Sequence, residues 1–329
     1  MLKDRGIITN DNTKMVPQTE YEGRVLKFDF PDLLIGVAEY REGPTGCTVF
    51  SFAKDAVSVA DVRGGFPGTM KGSSAEDGKT SAICFAGGSV YGLEAVAGVA
   101  SELFAMRGYL GVYNVRGAVI YDFFRNNMIY PDKELGRAAL KSAKTGVFPL
   151  GFHGVGCWPG CGPAFDCLQP DGTGQGGAFR QAGETKILVF TVVNALGVIV
   201  DRQGNIVRGN YDRKTGKRRH YTDLLEQRLT KNERSEPHYA NTTLTLVVTN
   251  QKLDIESLRQ LSRQVHSSMA RAIQPFHTKD DGDVLYAVTT NEVENKALDV
   301  TDLGVIASEL AWDAILSCFQ GYDSSGDNI

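Results

Sequence analysis

The residues with the clearest potential for chemistry are Asn241, Thr242 and Thr243, where a polar segment ends and an apolar strand begins. A hydroxyl group is a poor nucleophile at neutral pH and needs a base. If the chain were cut before Thr242, its new α-amine, with a reference pKa of about 7.7–8.0, would supply that base. Before the cut, the same hydroxyl can attack the Asn241 carbonyl and form an ester that water hydrolyses. A turn followed by an edge strand explains the same tripeptide, so both interpretations stay open.

Four polar side chains at the boundaries of predicted strands are candidate partners for this hydroxyl. Asn194 ends an apolar run, where its amide either satisfies the strand end or donates to a developing oxyanion. Tyr121 ends another apolar run and gains a role only if it lies beside a site. Asp281 and Asp283 precede a strand, as residues of an ordinary turn or as paired carboxylates that orient an ammonium or a hydroxyl group. The remaining ligand positions of an EF-hand are missing, so calcium binding is not expected.

A glycine- and proline-rich loop carries Cys157, Cys161 and Cys167, with His153 nearby. No second CxxC or HxxxH pair accompanies them, so zinc binding has little support and a catalytic cysteine has less. Nucleotide binding also has little support, because no P-loop and no strand–GxGxxG–helix pattern is found. Two further histidines are interpreted as structural residues, namely His266 in a predicted helix and His277 in a loop.

Composition and charge exclude several classes of protein. The 329 residues carry a formal net charge of −4, which argues against nucleic acid or an anionic membrane as the main partner. The longest apolar stretch, residues 187–200, is interrupted by polar residues and is shorter than the roughly 20 residues of a membrane helix. The first residues are charged with no apolar run behind them, and six cysteines do not form a dense disulfide scaffold. We therefore expect a cytoplasmic protein with reduced thiols and no membrane contact.

The elements that must position the candidate residues alternate between strands and helices, which predicts an α/β protein. Residues 211–237 are polar and charged, which predicts an exposed connector. Residues 242–249 then alternate, so Thr242 is expected on the same side as Leu244 and Leu246. Late hairpins favour mixed sheets, so a layered α/β sandwich fits better than a Rossmann fold. The predicted strands are residues 34–38, 47–52, 187–193, 198–200, 206–207, 242–249 and 284–288, and the predicted helices are 90–106, 133–144, 255–269 and 303–319.

Two of these helices carry more specific expectations. Residues 90–106 are apolar at nearly every turn, which predicts a helix buried on most sides. Residues 133–144 are followed by Gly146, where a helix C-cap would lie. Residues 1–24 are polar and aperiodic, which predicts an N-terminal arm in front of a single domain, residues 25–329.

A series of ordered stretches spans nearly the whole chain, from about residue 25 to residue 319. The stretches are residues 26–31, 42–46, 118–123, 130–133, 174–176, 197–201, 208–212 with 215–216, 241–243, 264–269, and 273–278 with 281–283. Together they resemble the self-processing N-terminal-nucleophile amidohydrolases of the L-aminopeptidase/D-esterase group. Within that group the likeness is greatest to the nylon-oligomer hydrolases, which are 6-aminohexanoate-oligomer endohydrolases. The N-terminal arm and residues 157–170 fall outside it.

The resemblance implies an αββα-type sandwich like that of the N-terminal-nucleophile hydrolases. It also implies a precursor that cuts itself between Asn241 and Thr242. The products would be an α chain, residues 1–241, and a β chain, residues 242–329, which remain associated. The family typically assembles into homotetramers of such αβ units, and it uses no metal and no organic cofactor.

The same resemblance assigns roles to the candidate residues. Thr242 would be the nucleophile, and Asn194 and Tyr121 would stabilise the oxyanion. Asp281 and Asp283 would support the nucleophile and orient its ammonium group. The implied activity is hydrolysis of linear oligoamides, such as 6-aminohexanoate oligomers, through a threonine acyl-enzyme.

One departure from the family concerns a lysine that nylon-oligomer hydrolases supply to the nucleophile from the segment before residues 174–176. Residues 157–170 contain no lysine here, and Pro163 or Ala164 falls at about that place. The departure bears on the rate of self-processing and on proton transfer. It leaves the nucleophile assignment intact, because base and nucleophile would both belong to the same threonine.

Two other functions remain as alternatives to the oligoamide hydrolase. The first is an aminopeptidase or esterase that acts on small peptides with free N-termini. The second is a non-enzymatic or metal-binding assembly protein that uses the cysteines between residues 157 and 167.

Overall fold

The computed structural model describes residues 6–162, 170–212, 214–232 and 241–319. Its main feature is a ten-stranded sheet. In chain order the strands of this sheet are β1 (Leu33–Tyr40), β2 (Thr45–Val62), β3 (Thr69–Met70), β4 (Gly78–Ala86), β5 (Val115–Val119), β6 (Lys144–Thr145), β7 (Gly174–Ala182), β8 (Thr185–Asn194), β9 (Thr242–Gln251) and β10 (Val284–Val293). The helices are α1 (Leu93–Met106), α2 (Lys133–Lys141), α3 (Tyr221–Thr230), α4 (Ile255–Ser268) and α5 (Val300–Leu316).

Short strands and 3₁₀ turns complete the described part of the chain. The short strands are Ile8–Thr9, Val25–Lys27, Asn127–Met128, Val147–Pro149, Gly160–Cys161, Asp171–Gly172, Val198–Val200, Ile206–Arg208, Tyr211–Asp212, Lys217–Arg218 and Ile273–Gln274. The 3₁₀ turns are Ser74–Glu76, Ser89–Gly92, Gly154–Cys157 and Met269–Arg271. No helix in these described ranges is long and apolar enough to cross a membrane.

The sheet is mixed, as the sequence predicts. Its strands follow the order β7-β8-β9-β10-β2-β4-β5-β3, with β1 paired to β2 and β6 paired to β1. Most neighbours run antiparallel, whereas β9 with β10 and β4 with β5 run parallel. Strand β9 lies between β8 and β10 in the sheet.

The sheet curls around an apolar interior along β2, which is 18 residues long. The register between β2 and β4 shifts between Ser51 and Ala56. Aromatic rings from both halves of the sheet meet inside, as Phe50 lies 5.1 Å from Phe190 between ring centroids. Helices α1 and α2 cover one outer face and helices α4 and α5 cover the other. This layering confirms the predicted α/β sandwich.

The strand predicted at residues 242–249 is confirmed and extends to Gln251. Leu244, Leu246 and Val248 belong to the interior cluster, whereas Val247 packs on the outer cluster with α4 and α5. Both faces of β9 are therefore covered, and the alternation in the sequence does not separate a buried face from an exposed one.

Two expectations about helices are wrong, and one helix lies in a segment that is predicted only as an exposed connector. Helix α1 is not buried on most sides, since Phe104 and Met106 on its outward side are 40% and 62% exposed. Gly146 is not a C-cap, because α2 ends at Lys141 with Ser142 as its C-cap, and Gly146 has a positive φ of 78° between two strands. The connector after residue 211 contains helix α3, whose single buried residue, Leu224, gives almost no apolar pattern in the sequence. The rest of that connector, residues 233–240, lies outside the described residues.

Candidate active site

The ends of three neighbouring strands bring four of the predicted site residues together. Thr242 is the first residue of β9 and pairs with Asn194, the last residue of β8. The segment before β10, which carries Asp281 and Asp283, runs beside Asn241. Thr242 and Asn194 are 4% and 0% exposed. The nucleophile, amide and carboxylates of the prediction thus meet at one buried end of the sheet.

The peptide bond between Asn241 and Thr242 is held by the segment before β10. The Asn241 carbonyl accepts a hydrogen bond from the Gly282 N–H at 2.6 Å, and the Asn241 N–H donates to the Asp280 carbonyl at 3.1 Å. A Cβ atom added at Gly282 would lie 2.6 Å from Thr242 Oγ1 and 2.7 Å from the Phe66 carbonyl oxygen. Because a donor on a carbonyl oxygen stabilises the negative charge that develops there, this contact favours attack on the Asn241 carbonyl carbon.

The two carboxylates of this segment have different surroundings. One oxygen of Asp283 accepts a bond from the Thr243 N–H at 2.7 Å, and the other accepts bonds from the His277 N–H at 3.1 Å and from His277 Nδ1 at 3.0 Å. Asp281 Oδ2 accepts a bond from the Thr278 N–H at 2.7 Å, and Oδ1 is buried with no hydrogen bond within 3.5 Å among the described residues. Burial, and then the charge of Asp283, raise the pKa of Asp281 to about 6. The pair therefore combines one fully hydrogen-bonded carboxylate with one that holds a proton more readily.

Asn194 connects the strand ends to the loops above them. Its Nδ2 donates to the Tyr121 carbonyl at 2.9 Å, and its Oδ1 accepts a bond from the Gly160 N–H at 3.1 Å. Tyr121 therefore contacts the predicted amide through its backbone, while its ring packs edge-to-face against Phe123 and Phe124. The bond to Tyr121 uses one of the two N–H groups of the Asn194 amide.

Two histidines that the sequence analysis interprets as structural lie beside the carboxylates. His277 contacts Asp283 directly, and its ring centroid lies 4.3 Å from that of His266. His266 Nδ1 in turn lies 3.0 Å from Asp61 Oδ2, and burial lowers the pKa of His266. Asp61 and His266 are 205 positions apart, so no local spacing could have revealed this contact. His277 is also held at a φ of 59°, which single-sequence reasoning cannot detect.

Two cavities flank the stretch from Tyr121 to Phe124. The first has a volume of about 600 Å³ and a mostly apolar lining of Phe124, Phe152, Trp158, Pro159, Gly160, Pro170 and Gly172. The second has a volume of about 300 Å³ and is lined by Thr9, Asn10, Asp11, Tyr91, Tyr121, Phe123, Met128 and Tyr130. Both cavities adjoin a direct partner of Asn194, which is Gly160 in the first and Tyr121 in the second.

The cysteine-bearing loop is only partly described. Cys157 and Cys161 are buried free thiols, and burial raises the pKa of both. Cys167 and the position of the missing lysine, Pro163 or Ala164, lie outside the described residues. Within the part of the chain that is described, no group of three or more His, Cys, Asp or Glu side chains could hold a metal ion.

Comparison with known proteins places this geometry in context. The sequence model of Peptidase family S58 matches residues 28–321. The 6-aminohexanoate-oligomer endohydrolase of Paenarthrobacter ureafaciens is 44% identical over 322 residues, which cover 93% of this chain and 89% of that protein.

Two solved structures share the fold. A Burkholderia sp. beta-aminopeptidase has a TM-score of 0.62 at 15% identity, and the match covers 90% of this chain and 88% of that one. The L-aminopeptidase D-Ala-esterase/amidase of Ochrobactrum anthropi, described as a variant of the Ntn hydrolase fold, has a TM-score of 0.62 at 13% identity over 91% and 88% of the two chains. At these identities the likeness shows the fold alone, and it confirms the predicted N-terminal-nucleophile-hydrolase-like sandwich.

Proposed function

Because the chain belongs to peptidase family S58 and is therefore a hydrolase of amide bonds, we propose that it cuts itself between Asn241 and Thr242 and then hydrolyses linear oligoamides through Thr242. The observation that carries this proposal is the hydrogen bond from the Gly282 N–H to the Asn241 carbonyl. The bond is one of the two that form the parallel bridge between Asn241 and Asp281, and it differs from other ladder bonds because Thr242 Oγ1 lies next to Gly282. The proposal makes this contact the oxyanion donor of self-cleavage.

Self-cleavage proceeds in two balanced steps. Thr242 Oγ attacks the Asn241 carbonyl carbon, the C–N bond breaks, and the hydroxyl proton passes to the departing nitrogen. This first step frees the α-amine of Thr242, and water then hydrolyses the resulting ester, which releases the Asn241 carboxylate and restores the Thr242 hydroxyl. The α-amine is a competent base near neutral pH, so each later substrate is attacked by a hydroxyl that carries its own base.

Different groups around Thr242 are assigned to the negative charge of the oxyanion and to the positive charge of the new ammonium group. We assign the oxyanion of each substrate to the remaining N–H of Asn194, which faces Thr242 across the strand ladder. Asp281 and Asp283 lie beside the same strand end and would hold the new ammonium group of Thr242. Tyr121 positions Asn194 through its carbonyl, and its ring is assigned to the substrate wall.

The substrate class follows from the cavity next to Asn194. Its lining of Phe124, Phe152 and Trp158 suits an aliphatic spacer between amide bonds, because apolar groups gain from contact with aromatic faces. The 44% identical relative is named as a 6-aminohexanoate-oligomer endohydrolase, which supports oligomers of that spacer as the substrate. The alternative is an aminopeptidase for small peptides with free N-termini, and the Burkholderia neighbour that shares the fold is named as a beta-aminopeptidase.

We further propose that the α and β fragments remain associated and form a homotetramer in the cytoplasm. Strands β8 and β9 would end up in different fragments yet share an eight-residue ladder in the sheet, which supports a stable αβ unit. Cys47, Cys84, Cys157, Cys161 and Cys318 are buried free thiols, which supports a reducing compartment. Native mass spectrometry of the purified protein measures the assembly.

The test of self-cleavage is intact mass spectrometry of the denatured protein with N-terminal sequencing. We expect a β fragment that begins at Thr242 and hydrolysis of a linear 6-aminohexanoate oligomer. Thr242→Ala should stay uncut and inactive, while Thr301→Ala, at an exposed threonine of α5, should cleave as the parent does. A Thr242→Ala chain that is cut and active would contradict the mechanism.

A capped substrate separates the two activities. An endohydrolase should still cleave an oligomer whose amine is N-acetylated, whereas an aminopeptidase should reject it.

A further inference from the structure

The smaller cavity beside Tyr121 has a wall contributed by the N-terminal arm. Strand Ile8–Thr9 of the arm pairs in parallel with Asn127–Met128. The next residue, Asn10, exchanges two hydrogen bonds of 3.0 Å with the backbone of Tyr130. These contacts place the neighbouring Asp11 in the cavity lining. The arm is therefore docked on the domain at this point, and it closes one side of the cavity.

The opposite wall is aromatic. Tyr91 lies at 5.7 Å from Tyr130 and 6.4 Å from Phe123 between ring centroids, and Tyr121 lies at 5.6 Å from Phe123. The rings are tilted or edge-to-face, so the cluster presents several ring faces and edges instead of one flat stack. Ring faces carry the negative part of the aromatic quadrupole, and a cation is attracted to them.

The charged groups around the cavity are predominantly acidic. Asp11 lines it, and Glu94 accepts a hydrogen bond from the Tyr130 hydroxyl at 3.3 Å. Burial raises the pKa of Tyr130, and the charges of Glu94 and Asp11 raise it further, which indicates a negative potential at this wall. Arg125 stacks on Phe123, but it is paired with Asp122 at 2.8 Å. Among the described residues, the lining includes no lysine or arginine.

We propose that this cavity binds the terminal primary ammonium group of the substrate, between the Asp11 carboxylate and the rings of Tyr91, Tyr121 and Tyr130. The inference rests on the proposed function for the identity of the ligand. Tyr121 joins the two sites, because its carbonyl holds Asn194 and its ring lines the cavity. The unit of a linear oligoamide that carries the free ammonium group lies on the carbonyl side of the amide bond that is cut. It therefore stays in the enzyme as part of the acyl group that is esterified to Thr242.

Substrate kinetics test the role of the carboxylate. Asp11→Asn should raise KM about five-fold for a 6-aminohexanoate oligomer with a free amine and leave kcat unchanged. The effect on KM is modest because an exposed carboxylate adds little to the binding of an ammonium group, and the cation–π contacts with the rings remain. The N-acetylated oligomer should show no change in KM. Glu20→Gln is the matched control, because Glu20 is an exposed carboxylate of the same arm that does not line the cavity. Equal effects of Asp11→Asn on the free and the acetylated oligomer would overturn the inference.

A binding measurement separates this inference from the proposed function. In calorimetric titrations of the full-length protein with n-hexylamine and with 1-hexanol, we expect the amine to bind more tightly and Asp11→Asn to remove the difference. If no oligoamide is hydrolysed and the amine preference still depends on Asp11, the proposed function fails and the ammonium site stands. If oligoamides are hydrolysed but the amine and the alcohol bind alike, the ammonium site is wrong and the proposed function stands.

Discussion

The floor and the walls of this site are built in different ways. We define the floor as the strand-end group Asn194, Thr242, Gly282 and Asp283. It is held by ladder pairing and by short backbone hydrogen bonds, and its polar side chains are almost fully buried. We define the walls as the residues that line the two cavities flanking Tyr121 to Phe124. They come from loops and from the N-terminal arm, and some of their rings are open to solvent, since Phe152 and Tyr91 are 54% and 59% exposed.

This contrast suggests a division of function. A reacting hydroxyl must be held within a fraction of an ångström, and a covered sheet provides that rigidity. Substrate walls can change by substitution without disturbing the sheet, because they carry few backbone ladder bonds. Substitutions in the floor should therefore affect self-cleavage and every substrate alike, whereas substitutions in the walls should affect selected substrates and leave self-cleavage intact.

The largest expected effect comes from Gly282→Ala. The added methyl group would lie 2.6 Å from Thr242 Oγ1, so either the hydroxyl or the donor to the Asn241 carbonyl must move. Loss of one oxyanion donor costs a factor of about 10²–10³ in rate. We expect self-cleavage to slow by at least that factor, measured as the fraction of uncut chain over time by gel electrophoresis and mass spectrometry.

Gly304→Ala is the matched control for this substitution. It lies in the same proposed β fragment, and its added methyl group meets only the end of the Gln264 side chain, which can move away. Normal self-cleavage of Gly282→Ala would break the comparison between floor and walls, because it would show that the close approach of Gly282 is not needed.

The second prediction concerns the carboxyl group of Asp281, next to the floor, and the stability of the fold as a function of pH. Burial and the charge of Asp283 raise the pKa of Asp281 to about 6 from its ordinary 3.8. Between these values the folded chain retains a proton that the unfolded chain releases, so this carboxyl lowers stability progressively as the pH rises from about 4 to about 6. Asp281→Asn should therefore raise the free energy of unfolding by about 1–2 kcal/mol at pH 8, with a smaller gain at pH 4.

Urea unfolding of the uncut Thr242→Ala chain measures this effect, since no new ammonium group then lies beside the pair. Glu294→Gln serves as the control, because Glu294 is an exposed carboxylate in the same part of the chain. If Asp281→Asn gained as much at pH 4 as at pH 8, the gain would come from packing and not from the removed charge.

The floor could be predicted from the sequence because its information is local. The apolar runs ending at Asn194 and beginning at Thr242 mark two strands covered on both faces, and strand ends carry the polar residues. The ordered likeness to a family of amidohydrolases then placed these residues and the aspartates at one site. The pairing of Thr242 with Asn194 in the structure agrees with that placement.

The walls could not be predicted because they depend on contacts between distant segments. Asn10 of the arm is hydrogen-bonded to Tyr130, which lies 120 positions later in the chain, and no periodicity in either segment predicts that contact. Gly282 is the one floor residue that could not be predicted, since its proposed role follows from a backbone N–H that every non-proline residue possesses. The likeness pointed to Tyr121 as a side chain that stabilises the oxyanion, whereas the structure brings its carbonyl to Asn194.

The smallest expected effect, and the sharpest test of the walls, comes from Trp158→Ala. Trp158 is 44% exposed in the lining of the larger cavity, so its loss removes part of an apolar contact worth about 1 kcal/mol with the substrate spacer. We expect KM for a 6-aminohexanoate oligomer to rise about five-fold, with little change for a β-alanine oligomer, whose spacer is shorter, and with normal self-cleavage. Phe104→Ala, at a comparably exposed ring on α1, should change none of these quantities. Slower self-cleavage of Trp158→Ala would mean that the walls also hold the proposed nucleophile in place, and the division between floor and walls would then fail at the loop that carries Trp158.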